Sequence, residues 1–166
     1  MATILNLVAS RELVKVDADL DEDELEERLI FFVKGVDSQC AKLIESMESQ
    51  WDIELSPAEQ LDELVYHFAT GGVLDCPRQF HVLSHKRDGI WELKTPDLRL
   101  FGFFARKDIF ICTDVADANA VKEGCLYAGY CEQAWFKRER LDLDDPKFVG
   151  GVEPKNVVSN CHTQES

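Results

Sequence analysis

The apolar positions of this chain fall into two periods, and each period predicts a different set of elements. Thr3 to Val8 and Glu12 to Val16 are short β-prone runs, separated by Ala9-Ser10-Arg11, that predict a hairpin or the first strand of a sheet. From Asp17 the chain carries a dense acidic block, DADLDEDELEE, and then Leu25, Leu29, Ile30, Phe32 and Val33. Acidic residues in a first turn complement the helix dipole, so this stretch predicts a helix capped near Asp19 or Asp21 and ended by Gly35. A second helix is predicted from Asp37 to Gln50, with Cys40, Leu43, Ile44 and Met47 at three- and four-residue spacings leading to Trp51. Trp51 to Leu55 alternates like a strand. Ser56-Pro57-Ala58-Glu59 opens a third helix with a capping box; it would bury Leu61, Leu64, Val65 and Phe68 and stop at Gly71-Gly72. Asp75-Cys76-Pro77 reads as a turn or linker.

Beyond Phe80, Val82 and Leu83 the period shortens. After the polar loop His85 to Gly89, residues 89–113 carry three closely spaced strands, with breaks at Pro96-Asp97 and at Arg106-Lys107-Asp108. Thr113 to Asn119 reads as a loop. Ala120 to Leu141 predicts a last long helix, with Tyr127, Tyr130, Cys131, Ala134 and Trp135 inward and Gly124 and Gly129 as weak points. The fold class is therefore α+β, a helical hairpin packed on a small antiparallel sheet with extra N-terminal or inserted elements and a C-terminal helix. One domain over residues 1–141, with its strand core at 80–113, precedes a tail at 142–166.

Composition sharpens this picture through charge. The net charge is −14 over 166 residues, which argues against a simple nucleic-acid binder. Residues 1–77 hold 5 Lys/Arg against 18 Asp/Glu, residues 78–140 hold 11 against 9, and residues 141–166 hold 2 against 5. The three-strand stretch thus lies in the only part that is not acidic. Six scattered cysteines without a C-x-x-C pair read as reduced structural thiols, and the histidines lack a metal-ligand pattern, so no cofactor or metal is expected. The N-terminus lacks the charged start and apolar run of a signal peptide, and no apolar run approaches the ~18 residues of a membrane span. A cytoplasmic protein is the expectation.

The phrase Gly89-Ile-Trp-Glu-Leu-Lys94, Leu98-Arg-Leu-Phe-Gly-Phe-Phe104, Ile109-Phe-Ile-Cys112 resembles the RelE/HigB/ParE toxin superfamily, nearest to its HigB-like, phage-derived group. The likeness covers about 35 residues well. It leaves open whether residues 21–50 form the family's helix pair, making 51–77 an insertion, or whether residues 1–50 are an extension. The resemblance implies a type II toxin, a ribosome-dependent, metal-independent endoribonuclease paired with a cognate antitoxin-like protein. Its chemistry needs cations on a phosphate whose charge grows in the transition state. The resemblance assigns that role to Arg99 with Lys94, and gives His85 and Tyr130 catalytic places. Lys86, Arg87, Arg106 and Tyr127 would contact RNA. The chain departs from the family after the last strand, where Asp114 to Ala120 has no basic residue. Two further readings remain. One is a non-catalytic acidic interaction protein on the same fold, a nucleic-acid mimic or inhibitor or a binder of a basic partner. The other makes residues 1–50 an intramolecular shield over the basic surface of 78–140.

Overall fold

A computed structural model describes residues 2–47, 55–83 and 87–164. The architecture is α+β, built on a six-stranded, mostly antiparallel sheet of order β1-β2-β7-β6-β5-β4. Its strands are β1 (Leu13–Lys15), β2 (Leu29–Val33), β4 (Phe80–Val82), β5 (Trp91–Lys94), β6 (Leu98–Arg106) and β7 (Ile109–Asp117). Within this sheet, among the described residues, the one parallel pairing joins β2 to β7, with Ile30 opposite Phe110 and Phe32 opposite Cys112. Between β2 and β4 the chain makes α2 (Val36–Ser46) and α3 (Pro57–Ala69), then β3 (Leu74–Cys76).

One face of the sheet, bearing Ile30, Phe32, Trp91, Leu93, Leu98, Leu100, Phe104 and Phe110, packs with Val36, Cys40, Leu64, Val65 and Phe68 of α2 and α3. α3 begins as its sequence predicts: Ser56 Oγ accepts from Glu59 N, and Glu59 Oε1 accepts from Ser56 N, both at 3.2 Å. The opposite face has two aromatic and aliphatic clusters. One gathers Phe101, Ala116, Cys131 and Ala134 beneath α5 (Tyr127–Arg140). The other gathers Phe31, Phe103 and Ile111 with Leu7 of α1 (Ile4–Ala9).

Seven local expectations are corrected. Thr3 to Val8 is helical, because Thr3 and Asn6 close a reciprocal cap, Thr3 Oγ1 accepting from Asn6 N at 3.1 Å. The acidic block is not a helix. Residues 17–27 run as an irregular, mostly exposed strip, and Leu25 stays 76% exposed. Leu29 to Val33 is instead a strand, five apolar residues in succession with no polar face, the pattern of a strand paired in parallel and buried on both sides. Gly35 does not close a helix but opens α2, at a φ of 91°. Asp75 and Cys76, read as a turn, lie in β3. Thr113 to Asp117 continues β7, since Val115 and Ala116 are buried opposite Leu100 and Arg99. The single C-terminal helix is two, α4 (Ala118–Glu123) and α5, divided at Gly124. The strand expected over Trp51 to Leu55 lies almost wholly outside the described residues.

The C-terminal segment folds back over the domain. After α6 (Pro154–Val157), β8 (Cys161–Thr163) pairs in parallel with β3. Val157 and Val158 join the main core. β2 and α2 supply Ile30, Phe32, Val36 and Cys40 to that same core, and Leu13 of β1 joins the cluster on the opposite face, so residues 2–47 are built into the domain.

Candidate functional site

The register of the meander sets a row of polar side chains on the face beneath α5. His81 of β4 stands opposite Glu92 of β5, Glu92 opposite Phe101 of β6, and Phe101 opposite Asp114 of β7. In the neighbouring row Lys94 faces Arg99, and Arg99 faces Ala116. Alternation along each strand explains the arrangement: Trp91, Leu93, Leu98 and Leu100 go to the helix-pair side, so Glu92, Lys94, Arg99 and Phe101 go to the other.

Arg99 is only 6% exposed. Its Nη1 donates to the carbonyl oxygens of Thr95 at 2.6 Å and Leu98 at 2.9 Å, and its Nε lies 4.0 Å from Glu92 Oε2. Lys94 Nζ lies 3.5 Å from Glu92 Oε1. Glu92 itself is buried, and burial pushes its carboxyl above the usual range while Lys94 and Arg99 pull it back. Asp114 behaves likewise: burial raises it, and Lys137 of α5 opposes the shift from 2.8 Å. Lys137 also donates to Thr113 O at 2.8 Å. These cations therefore serve buried carboxylates and strand carbonyls.

Both tyrosines nominated from the sequence reach this face. Tyr130 stacks on Phe101 with ring centroids 4.6 Å apart, and Tyr127 meets the same ring edge-on at 6.1 Å. Burial raises the Tyr130 hydroxyl above its ordinary value, and the Asp114 carboxylate adds to the shift. Arg87 makes a fork with Glu132 of α5, Nη2 to Oε2 at 3.0 Å and Nε to Oε1 at 3.1 Å, and lies 3.7 Å above the Trp135 ring. Arg106 sits at the far end of β6, where its Nη1 donates to Ala105 O and Pro146 O, both at 2.6 Å. His85 and Lys86 lie outside the described residues. Thus Lys94, Arg99, Tyr127 and Tyr130 share one face, Arg87 borders it, and Arg106 belongs elsewhere.

Sequence reasoning missed His81, Asp114 and Lys137, and it set Glu92 aside as structural. The alternation of Glu92 and Lys94 with Trp91 and Leu93 carries part of the signal. Lys137 has none, because its partner depends on how α5 crosses the sheet. Among the described residues no group of three His, Cys, Asp or Glu side chains is placed to hold a metal, and no helix is long and apolar enough to cross a membrane.

A second feature adjoins this face at Lys94 and Thr95, which also line it. An open groove of about 870 Å³ runs between the start of the acidic strip and α3, with Asp17, Asp19, Asp62 and Glu63 on its walls. All four are exposed. The strip is held in place along its length. Asp17 Oδ1 accepts from Asp19 N at 2.8 Å, the Tyr66 hydroxyl donates to Glu24, and Glu27 N donates to Ala69 O at 2.7 Å. No protein-family model, curated protein or solved structure matches the chain.

Proposed function

We propose that the protein is a non-catalytic interaction protein on a RelE-like plan, and that its acidic groove takes a basic segment of a partner. The observation that carries this reading is the commitment of the cations. Phosphoryl transfer needs an arginine or lysine whose charge is held ready for the substrate. Here Arg99 is buried on two carbonyl oxygens, Lys94 and Lys137 are drawn to Glu92 and Asp114, and Arg87 forks onto Glu132. Freeing Arg99 for a phosphate would leave both carbonyls without it and remove one of the two cations beside the buried Glu92 carboxylate. The groove supports the second half of the reading, because its exposed carboxylates lie in the portion of the chain that carries the excess negative charge.

A ribosome-dependent endoribonuclease is the other reading, and one observation favours it. The helix pair α2 and α3 packs on one face of the β5–β7 meander, the plan that the resemblance implies, and Lys94, Arg99, Tyr127 and Tyr130 gather on the opposite face.

The two readings separate in solution. A fluorescent Lys/Arg-rich peptide should bind the full chain, and Asp62→Asn with Glu63→Gln should weaken that binding about threefold or more at low salt, the size expected for two exposed charge pairs. These two carboxylates are exposed at the groove, so the substitutions leave the core intact. Equal affinity of the variant and the unaltered chain overturns the assignment of the groove.

A further inference from the structure

A cavity of about 470 Å³ opens between the sheet and the start of α5, walled by His81, Leu83, Glu92, Tyr127, Cys131 and Glu132. Its size lies within the range of small-molecule pockets. Most of the wall is apolar, and the Cys131 thiol is already used, donating to Leu83 O at 3.1 Å.

The polar atoms of the wall narrow what fits. Glu92 is 2% exposed, and among the described residues its Oε2 has no hydrogen-bond partner. The Nε of Arg99, 4.0 Å away, has none either. An unsatisfied acceptor thus belongs to a residue of the wall, with an unsatisfied donor 4.0 Å from it, an arrangement that costs free energy until a group supplies both a donor and an acceptor. Charge is balanced in the same place. Glu92 has Lys94 and Arg99 nearby, and Glu132 has Arg87. A cationic head group would meet Lys94 and Arg99, and an anionic one would meet Glu92 and Glu132. A hydroxyl donates once and accepts through two lone pairs, without bringing charge.

We propose that this cavity binds a neutral, mainly apolar molecule carrying one hydroxyl, an alcohol or phenol, with the hydroxyl at the Glu92 wall and the body against Leu83 and Tyr127. The site is separate from the acidic groove and does not depend on the partner read there.

The test is a titration of the full chain with 4-ethylphenol, followed by the amide shifts of residues such as Tyr127 and Ala128. Ethylbenzene, 2-phenylethylamine and phenylacetate serve as comparisons. 4-Ethylphenol should bind about tenfold more tightly than ethylbenzene, the factor expected for one hydrogen bond to a charged group. The two charged analogues should bind more weakly than the phenol. Ala128→Phe, which fills the cavity, should abolish the shifts, and Glu92→Leu should erase the preference for the phenol over ethylbenzene. The ligand series on the unaltered chain decides the matter even if neither variant folds. Equal binding of phenol and ethylbenzene, tighter binding of either charged analogue, or no shift at Tyr127 and Ala128 overturns the proposal.

Discussion

Replacing Arg28 by alanine should remove about 3–5 kcal/mol of folding stability, the cost of breaking a buried ion pair from one side. That loss is large against the roughly 5–15 kcal/mol that holds a typical domain together. The Arg28 side chain has no exposure, and its guanidinium joins three segments distant in sequence. Nη1 donates to Phe68 O at 3.1 Å, and Nη2 donates to Gly72 O at 2.8 Å and to Ser159 O at 2.6 Å. Asp108 lies 3.5 Å from Nε, and the Phe68 ring lies 5.3 Å from the guanidinium carbon. Burial lowers the arginine from its ordinary value while Asp108 raises it, so the charge is retained at a cost that these contacts offset. Alanine takes their side-chain donor from the carbonyls of Gly72, in the turn after α3, and of Ser159, in the C-terminal segment, and leaves Phe68 O to backbone amides such as that of Gly71. Lysine should fall between the two, because a single ammonium does not reproduce the planar fork. Urea denaturation measures the difference. A midpoint for Arg28→Ala equal to that of the unaltered chain would show that the three segments are held by other means.

Gly102→Ala should cost about 3 kcal/mol, the upper end of the usual overpacking range. In an ordinary strand position the same change is favourable, because glycine loses more conformational freedom on folding than alanine. Here the new Cβ would overlap the carbonyl oxygen of Ile111 on the neighbouring strand. That obstacle is backbone, and no side-chain rotation removes it. Gly102 also stands at one of the two register shifts between β6 and β7, where the strands approach to keep Phe101 under α5 while Phe103 turns toward α1. The loss should appear both in denaturation and as faster amide exchange along β6 and β7. A variant as stable as the unaltered chain, or more stable, would mean that the ladder can shift to admit the methyl group.

Much of the fold is legible in the sequence wherever a local rule acts alone. The capping box at Ser56 and the three strands after Gly89 each rest on chemistry within a few residues. The failures come where tertiary pairing overrules local signals. Leu29 to Val33 reads as the inner side of a helix because the acidic block before it resembles a first turn. Its place beside β7, some 80 residues on, makes it a strand. Thr113 to Asp117 reads as a loop because of its two aspartates. Asp114 is accommodated in the sheet by Lys137, which no nearby residue announces. The candidate site follows the same division. The alternation around Trp91 sends Glu92, Lys94 and Arg99 to one face, and sequence alone names the cations there. It does not reveal that their charge is matched, because Arg87 and Glu132 meet only when α5 crosses the sheet edge. Strand alternation sets these residues on one face, while burial decides what their charges do.

Charge selectivity of the unaltered chain tests this account most directly. Fluorescence anisotropy should be recorded in one low-salt buffer with two ligands of matched length, a Lys/Arg-rich peptide and a single-stranded RNA. With Arg99 buried and Asp17, Asp19, Asp62 and Glu63 exposed along the groove, the peptide should bind, its affinity should fall as salt rises, and the RNA should not bind. RNA binding without peptide binding would contradict the account and return the cations of the α5 face to phosphate chemistry.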